Sequence, residues 1–364
     1  MSFAASDILK ALSTVEDPDL RRDLVSLGMI KDVKADPQEV SFTVVLTTPA
    51  CPLKEKIRQD CEAAVRNVVG TSVNIDIHIT SSVTTLRDNA PLLPGVKNIV
   101  AIASGKGGVG KSTVTTNLAV ALAKAGAKVG LIDADIFGPS IPVMFNCEGE
   151  QPHVKQVNGR NVIVPIEQYG VKLLSIGFLA PPDSAVIWRG PMASSALKQF
   201  FSDTEWGDLD YLLIDLPPGT SDIHLTLVQT VPVTGAVIVT TPQKVALADA
   251  NKGLAMFKQP QINVPILGVV ENMAYFTPEE LPDNKYYIFG KDGGKNLSEK
   301  YNVPLLGQIP LVQGIRESGD SGQPAVMKEG HTALAFRNLA ESLARQIAII
   351  NANFTKTQKV ELKY

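Results

Sequence analysis

The segment Ser104–Thr113, SGKGGVGKST, has the residue types and spacing of a phosphate-binding loop. It fits the pattern G-x-x-x-x-G-K-[ST], in which glycines let main-chain N–H groups surround phosphate oxygens. The lysine of the pattern reaches the β- and γ-phosphates, and its serine hydroxyl is a ligand for Mg²⁺. The sequence therefore predicts that a nucleoside triphosphate and Mg²⁺ bind at Gly105, Lys106, Gly107, Gly108, Val109, Gly110, Lys111, Ser112 and Thr113. The alternative is a glycine-rich turn that only joins a strand to a helix.

Acidic side chains follow two apolar runs that are predicted to be strands. Asp133 and Asp135 end the run LIDAD, and Asp215 ends YLLID before a Pro-Pro-Gly bend. Ligands bind at the carboxyl ends of the strands in open α/β sheets. Asp215 therefore suits a Mg²⁺ ligand, and Asp135 suits a residue that positions or deprotonates an attacking water. The alternative for each acid is a helix cap, and for Asp133 the sequence favours neither interpretation.

The elements that must position these residues alternate along the chain from Asn98 onward. Short apolar runs are separated by segments with helical spacing, and the runs are NIVAIAS, KVGLIDAD, DYLLIDLPPG, GAVIVTTP, PILGVVENM and VPLLGQIP. Runs that are apolar on both faces are typical of buried parallel strands joined by right-handed crossovers. The predicted fold class is α/β, with a mostly parallel sheet flanked by helices. The stretch NGRNVIVPIEQYGVKLLSIGF departs from this alternation and is either a hairpin or an irregular insertion.

The first 86 residues have a different pattern, which predicts a small α+β domain. Its elements are a short helix around Ile8–Leu12, the strand QEVSFTVVLTT, a helix from near Pro52 to Gly70 and the strand SVNIDIHIT. Residues 87–97 include prolines and a glycine and are predicted to be a linker. Residues 98–350, which end in a helix over 333–350, form the predicted nucleotide-binding domain, and residues 351–364 form a polar C-terminal tail.

Composition limits the classes of protein that fit the chain. It has 364 residues, of which 45% are hydrophobic, and 34 basic against 37 acidic residues give a net charge of −3. This balance predicts no broad basic surface for nucleic acid. We find no apolar leader, no apolar run of about 18 residues that would span a bilayer, and only three scattered cysteines. We therefore expect a cytoplasmic protein that binds neither nucleic acid nor membrane.

Several segments together resemble a known family. GKGGVGKST, with a lysine directly after the first glycine, resembles the deviant Walker A motif of the MinD, ParA and nitrogenase iron protein class of ATPases. Within that class, LIDADIFGPSIP, WRGPM, DYLLIDLPPGTSD, ENMAYF and IRESGDSGQPAV are similar to the Mrp/ApbC branch, the iron-sulfur cluster carrier ATPases. The N-terminal segments DPDLRRDLVSLGMIKDV and LTTPACPLKEKI resemble a PaaD-like and SufT-like domain that many bacterial Mrp proteins carry.

The resemblance implies a homodimeric, Mg²⁺-dependent P-loop ATPase that delivers iron-sulfur clusters to apoproteins and works with assembly factors. It implies residue roles as follows: Lys111, Ser112 and Thr113 at the phosphates and Mg²⁺, Asp135 and Asp215 as the acids of switch I and switch II, Asn272 as the amide that recognises adenine, and Lys106 as the signature lysine. In this class the signature lysine reaches across the dimer to the partner's nucleotide. The alternative for Lys106 is a solvated loop lysine.

One family motif is missing from this chain. Mrp/ApbC proteins commonly carry C-x-x-C after the ENM segment, and the corresponding positions here are at about Pro278 and Leu281. Proline and leucine supply no ligand, so a [4Fe–4S] cluster bound by thiolates is excluded at that site. Cys51, ahead of a predicted helix, is the candidate cluster ligand, whereas Cys61 and Cys147 are predicted to be structural. Two alternatives remain open: a ParA/MinD-like switch that never binds a cluster, and an assembly scaffold.

Overall fold

The structure, a computed structural model, describes residues 3–87, 92–136, 138–179, 190–278, 280–281 and 283–353. Its contacts divide the chain into two compact units. The smaller comprises Met1–Thr84 with Ala348–Phe354, and the larger contains Thr85–Ile347. Within the described ranges, no helix combines the length and the apolar character needed to cross a membrane.

The smaller unit contains a three-stranded sheet and two helices. Its elements are α1 (Ala5–Leu12), β1 (Glu16–Asp17), β2 (Arg22–Asp23), β3 (Ile30–Ala35), β4 (Glu39–Leu46), α2 (Lys54–Val69) and β5 (Asn74–Ser81). The central strand β4 is antiparallel to β3 and parallel to β5. Every second residue of β4 is buried, because successive side chains of a strand point to opposite faces. The predicted α+β architecture is thereby confirmed.

The helix α2 begins at Lys54 rather than near Pro52. Pro52 and Leu53 lie in a turn, in which the main-chain N–H of Lys54 points to the carbonyl of Cys51 at 3.4 Å. Cys51 therefore lies further from the first helical turn than the sequence predicts.

The elements from Val96 onward alternate between strands and helices. They are β6 (Val96–Ser104), α3 (Lys111–Lys124), β7 (Val129–Asp133), α4 (Ile141–Met144), β8 (His153–Val157), β9 (Arg160–Val164), β10 (Ile166–Gln168), β11 (Val171–Ser175), α5 (Gly190–Ser202), β12 (Leu209–Asp215), α6 (Asp222–Thr230), β13 (Gly235–Thr240), α7 (Lys244–Lys258), β14 (Ile266–Glu271), α8 (Gly293–Tyr301), β15 (Leu305–Gln308), α9 (Gln313–Asp320) and α10 (His331–Asn353).

Eight of these strands form one sheet, in the order β10-β11-β7-β12-β6-β13-β14-β15. All its neighbours are parallel except β10 and β11. All residues of β13 and β14 are buried, because helices cover both faces of the sheet. The predicted fold class, a mostly parallel sheet flanked by helices, is confirmed.

The stretch that departed from the alternation contains the second strand of one hairpin, β9, and the whole of another, β10–β11. Strands β8 and β9 pair only with each other among the named strands, whereas β10 and β11 form the antiparallel edge of the main sheet. Strand β11 pairs in parallel with β7 on its other side. This pairing brings residues from a stretch without any nucleotide motif to the carboxyl edge of the sheet.

Two predicted boundaries differ from the observed elements. Strand β6 begins at Val96, inside the predicted linker, because this buried residue already lies beside Leu209 of β12. Helix α10 continues to Asn353, inside the predicted C-terminal tail. The remainder of that tail, residues 354–364, and residues 88–91 of the predicted linker lie outside the described residues.

Candidate nucleotide-binding site

The predicted phosphate-binding loop connects β6 to α3. Gly110 precedes the first helical residue with φ of +77°, a left-handed conformation that favours glycine. A side-chain carbon at Gly110 would also overlap Nδ2 of Asn272, and one at Gly105 would overlap the main chain of Asp249 and Ala250 in α7. Glycine at position 110 thus permits the left-handed turn into α3. Glycine at position 105 lets the loop lie directly against the main chain of α7.

Three polar residues from neighbouring strands lie in one row at the carboxyl edge of the sheet. Asp133 at the end of β7 is in register with Ser175 of β11 on one side and with Asp215 of β12 on the other. All three are fully buried. In-register residues of parallel strands point to the same face, so the register brings Ser175, Asp133 and Asp215 together beside the start of α3.

Asp215 accepts hydrogen bonds from three residues of α3. Lys111 Nζ and Ser112 Oγ each lie 2.7 Å from its Oδ2, and Thr115 Oγ1 lies 2.6 Å from its Oδ1. The Lys111 side chain is 5% exposed, so this ion pair is shielded from water. A buried carboxylate next to a serine hydroxyl supplies the hard oxygen atoms that Mg²⁺ prefers, and these residues therefore fit the metal.

Sequence reasoning missed Thr115. Its hydroxyl also lies 2.9 Å from the main-chain oxygen of Lys111, one helical turn earlier. Its position four residues after the loop lysine was the available signal, because residues i and i+4 of a helix share a face.

Asp135 lies on the other side of the same lysine. Its Oδ2 is 3.7 Å from Lys111 Nζ, and its side chain is 13% exposed. Asp135 lines a cavity of about 190 Å³ together with the phosphate-binding loop, Ser140, Met144 and Pro218. The predicted phosphate residues, Asp135 and Asp215 therefore lie in one place in the fold.

Asp133 is held entirely inside the protein. Its carboxylate accepts hydrogen bonds from Ser175 Oγ at 2.9 Å, from the main-chain N–H of Asp135 at 3.2 Å and from that of Ile141 at 3.4 Å. Burial, and then the neighbouring Asp215 carboxylate, raise the pKa of Asp133 to about 7, while the bond from Ser175 and the charge of Lys111 act in the opposite direction. Asp133 therefore cannot touch a ligand in the cavity, and its contacts are with the chain around it.

Lys106 is half-buried at the loop. Its main-chain oxygen accepts a hydrogen bond from Ser104 Oγ at 3.1 Å. Among the residues that the structure describes, its ammonium group forms neither a hydrogen bond nor an ion pair. Lys106 thus differs from Lys111, whose ammonium group lies between two carboxylates.

Asn272 follows β14 and is buried. Its Nδ2 donates a hydrogen bond to the main-chain oxygen of Val109 at 2.8 Å, and it lines a second cavity of about 350 Å³. Gly110, Thr113, Ser140 and Met144 line both cavities, and the apolar side chains Val143, Met273, Leu311, Val312 and Ile315 line only the second. An apolar cavity next to a phosphate-binding loop has the character expected for a nucleoside.

The three cysteines lie in different surroundings. Cys61 and Cys147 are buried, and burial raises the pKa of each thiol to about 12, so neither is available as a thiolate ligand at neutral pH. Cys51 is half-buried and packs at the edge of the core of the smaller unit. Within the described ranges, no three His, Cys, Asp or Glu side chains are grouped to hold a metal ion. Pro278 and Leu281 occupy the predicted cysteine positions, and Leu281 is exposed.

Residues 95–347 match the family described as the ParA-type NUBPL iron-transfer P-loop NTPases. The chain belongs to this family. Residues 5–77 match a second family, described as iron-sulfur cluster assembly proteins. The resemblance inferred from the sequence motifs is thereby confirmed.

Relatives of nearly the same length are similar to this member of the family. An iron-sulfur cluster carrier protein of Synechocystis is 50% identical over 344 residues, which cover 94% of this chain and 96% of the relative. The iron-sulfur cluster carrier protein of Escherichia coli K12 is 43% identical, with 92% and 90% covered. A solved nucleotide-binding protein of Archaeoglobus fulgidus, in complex with ADP, is 38% identical with a TM-score of 0.56 and covers 65% of this chain and 91% of its own.

Proposed function

We propose that this P-loop NTPase is a Mg²⁺-dependent ATPase that carries iron-sulfur clusters to apoproteins. The observation that most supports ATP hydrolysis is the convergence of Lys111, Ser112 and Asp215 at a glycine loop, with Asp135 on the same cavity. Support for cluster transfer comes from the family match and from relatives that are named cluster carriers over nearly the whole chain.

The proposed hydrolysis uses residues that already face one another. Main-chain N–H groups of the loop and the Lys111 ammonium bind the phosphates, which compete with Asp215 for that ammonium group. Ser112 and Asp215 hold Mg²⁺, which offsets negative charge on the phosphates when it is bound. Asp135 orients a water whose oxygen bonds to the γ-phosphorus while the bond to the β,γ-bridging oxygen breaks and ADP leaves. The cavity lined by Asn272 takes the nucleoside.

Lys106 is proposed to act on the nucleotide of a second copy of the chain. This proposal is supported by its half-buried position at the loop and by an ammonium group that has no partner among the described residues. A cation that arrives from outside the subunit stabilises charge that develops on the transferred phosphoryl group. The proposed active form is therefore a homodimer that ATP holds together.

Mixing two impaired variants, Lys111→Ala and Lys106→Ala, tests the dimer. Lys111→Ala should abolish hydrolysis because the phosphates lose their own subunit's lysine, and Lys106→Ala should lower it because the partner's lysine is lost. A mixture should recover part of the rate, since a mixed dimer has one site with both lysines. Lys328→Ala, at an exposed lysine, is the control and should hydrolyse ATP normally. Undiminished turnover by Lys111→Ala would contradict the site, and no recovery on mixing would contradict action across the dimer.

Cluster binding is tested separately. We propose Cys51 as a ligand or transient acceptor because it is the cysteine with an exposed fraction, whereas Cys61 and Cys147 are buried. One thiolate per chain leaves two of four cluster positions in a dimer to exogenous thiols or other ligands. Anaerobic reconstitution with iron and sulfide should give a cluster absorption band and transfer to an apoprotein. Cys51→Ser should reduce both, and Cys147→Ala is the matched control.

The replacement of the C-x-x-C positions by Pro278 and Leu281 favours a second candidate function. A ParA/MinD-like dimeric switch, or an assembly scaffold, would hydrolyse ATP without binding a cluster itself. If reconstituted protein shows neither a cluster band nor transfer while ATP hydrolysis persists, the switch replaces the carrier. If a cluster appears only when an assembly factor is added, the assembly scaffold replaces the carrier as the proposed function.

A further inference from the structure

The carboxyl group of Asp133 contacts the main chain at two points near the phosphate cavity, Asp135 and Ile141. Asp133 Oδ1 accepts the main-chain N–H of Asp135 at 3.2 Å, and Asp133 Oδ2 faces that of Ile141, the first residue of α4, at 3.4 Å. The segment between these two points also contributes Ser140 to the wall of the phosphate cavity. Asp133 therefore contacts the main chain at Asp135, which lines the cavity, and at Ile141, which follows the cavity residue Ser140.

The orientation of Asp133 is set by a residue from another strand. Ser175 Oγ accepts the main-chain N–H of Gly177 at 2.9 Å, so its own hydrogen is directed to Asp133 Oδ2, also at 2.9 Å. Ser175 is in register with Asp133 across the β11–β7 pair and is fully buried. Because both partners of the Ser175 hydroxyl are fixed, this hydrogen bond restricts the orientation of the Asp133 carboxyl group.

We propose that Ser175 and Asp133 are positioning residues for hydrolysis, which hold Asp135 against the phosphate cavity. The proposal rests on the proposed ATPase function. Both residues are fully buried, so neither reaches a substrate, and any effect on the reaction passes through the segment that they hold. Hydrolysis requires reacting groups to be aligned to about 1 Å, whereas nucleotide binding depends mainly on the glycine loop.

A matched pair of variants isolates the Ser175 hydroxyl. Ser175→Thr and Ser175→Val add a similar volume to the same buried site and differ in whether a hydroxyl remains. We expect the valine variant to have a kcat roughly tenfold below that of the threonine variant, with KM for ATP within about twofold, because alignment is lost and phosphate binding is kept. Ser175→Ala adds no volume and should show the same loss of kcat. It replaces the valine variant if the larger side chains prevent folding.

Two further measurements separate positioning from a general structural role. In an Asp135→Asn background, single-turnover rates of the threonine and valine variants should become equal, because the residue through which Ser175 acts is gone. Thr234→Val is the control: Thr234 is also buried, and its hydroxyl accepts the main-chain N–H of Ile99 at the opposite end of the strands at 3.1 Å. Its loss should leave kcat unchanged.

The outcomes are distinguishable. If the wild-type protein does not hydrolyse ATP, the proposed function fails. If it does, and the valine and threonine variants share one kcat, or differ equally with and without Asp135, the positioning role is refuted while the ATPase stands.

Discussion

Replacing Asp133 by asparagine should remove a pH dependence from the stability of the larger unit. Asp133 has a raised pKa of about 7 in the folded chain, against 3.8 for an ordinary aspartate. Between these values the folded chain keeps a proton that the unfolded chain releases, so the free energy of unfolding decreases as pH rises. The contribution of Asp133 is fully present below about pH 4 and is lost once pH passes about 7.

The size of the effect follows from the two pKa values. Each pH unit between them changes the free energy of unfolding by about 1.4 kcal/mol, so the whole contribution is about 4 kcal/mol. About 3 kcal/mol of this is lost between pH 5 and pH 8. Asparagine has nearly the same shape but does not titrate. The wild-type protein should therefore lose about 3 kcal/mol relative to Asp133→Asn over that range.

Urea unfolding at pH 5, 6, 7 and 8, followed by tryptophan fluorescence, measures this difference. Trp206 is buried in the larger unit, so its fluorescence reports on the unfolding of that unit. Asp208→Asn, at an exposed aspartate, is the control and should follow the wild type at every pH. A difference between wild type and Asp133→Asn that stays constant across the four pH values would refute the reasoning.

Three further substitutions probe the same edge of the sheet. Gly105→Ala should lower the thermal midpoint and weaken nucleotide binding in a titration, because its added carbon overlaps the main chain at Asp249 and overpacking costs about 1–3 kcal/mol; binding of unchanged affinity would contradict this. Thr115→Val should destabilise the larger unit by about 2 kcal/mol in urea, since Asp215 loses a hydroxyl donor; an unchanged midpoint would show that the bond contributes nothing. Glu271→Ala should cost about 1–3 kcal/mol because buried N–H groups at the start of α8 lose their acceptor, and faster hydrogen exchange there would report it.

The sequence predicted the parts of the site that depend on local order along the chain. The glycine loop, Lys111 and Asp215 each follow an apolar run, and the alternation of strands and helices is enough to bring the carboxyl ends of those runs together. Ser175 could not be found this way. Its role depends on β11 pairing with β7, which is a long-range contact, and its stretch departs from the alternation on which the prediction relied.

The sequence predicted the smaller unit less completely around Cys51, the candidate cluster ligand. Alternation and helical spacing predicted α1, β4, α2 and β5 in order but not β1, β2 and β3. The start of α2 depends on how Pro52 and Leu53 turn. Proline is compatible with both a first helical turn and a preceding turn, so sequence alone places such a boundary only to within a few residues. The surroundings of Cys51 depend on that boundary.

The contrast among the three thiols has a practical consequence for spectroscopy. Thiol reagents attack thiolates, and Cys61 and Cys147 are buried with pKa values raised to about 12, so at neutral pH neither reacts readily. Cys51 remains as the one sulfhydryl of the sequence with solvent access. A maleimide dye should therefore attach to the smaller unit at a single place without any mutation. A dye at this position then reports on the surroundings of Cys51 during nucleotide turnover in the unaltered chain.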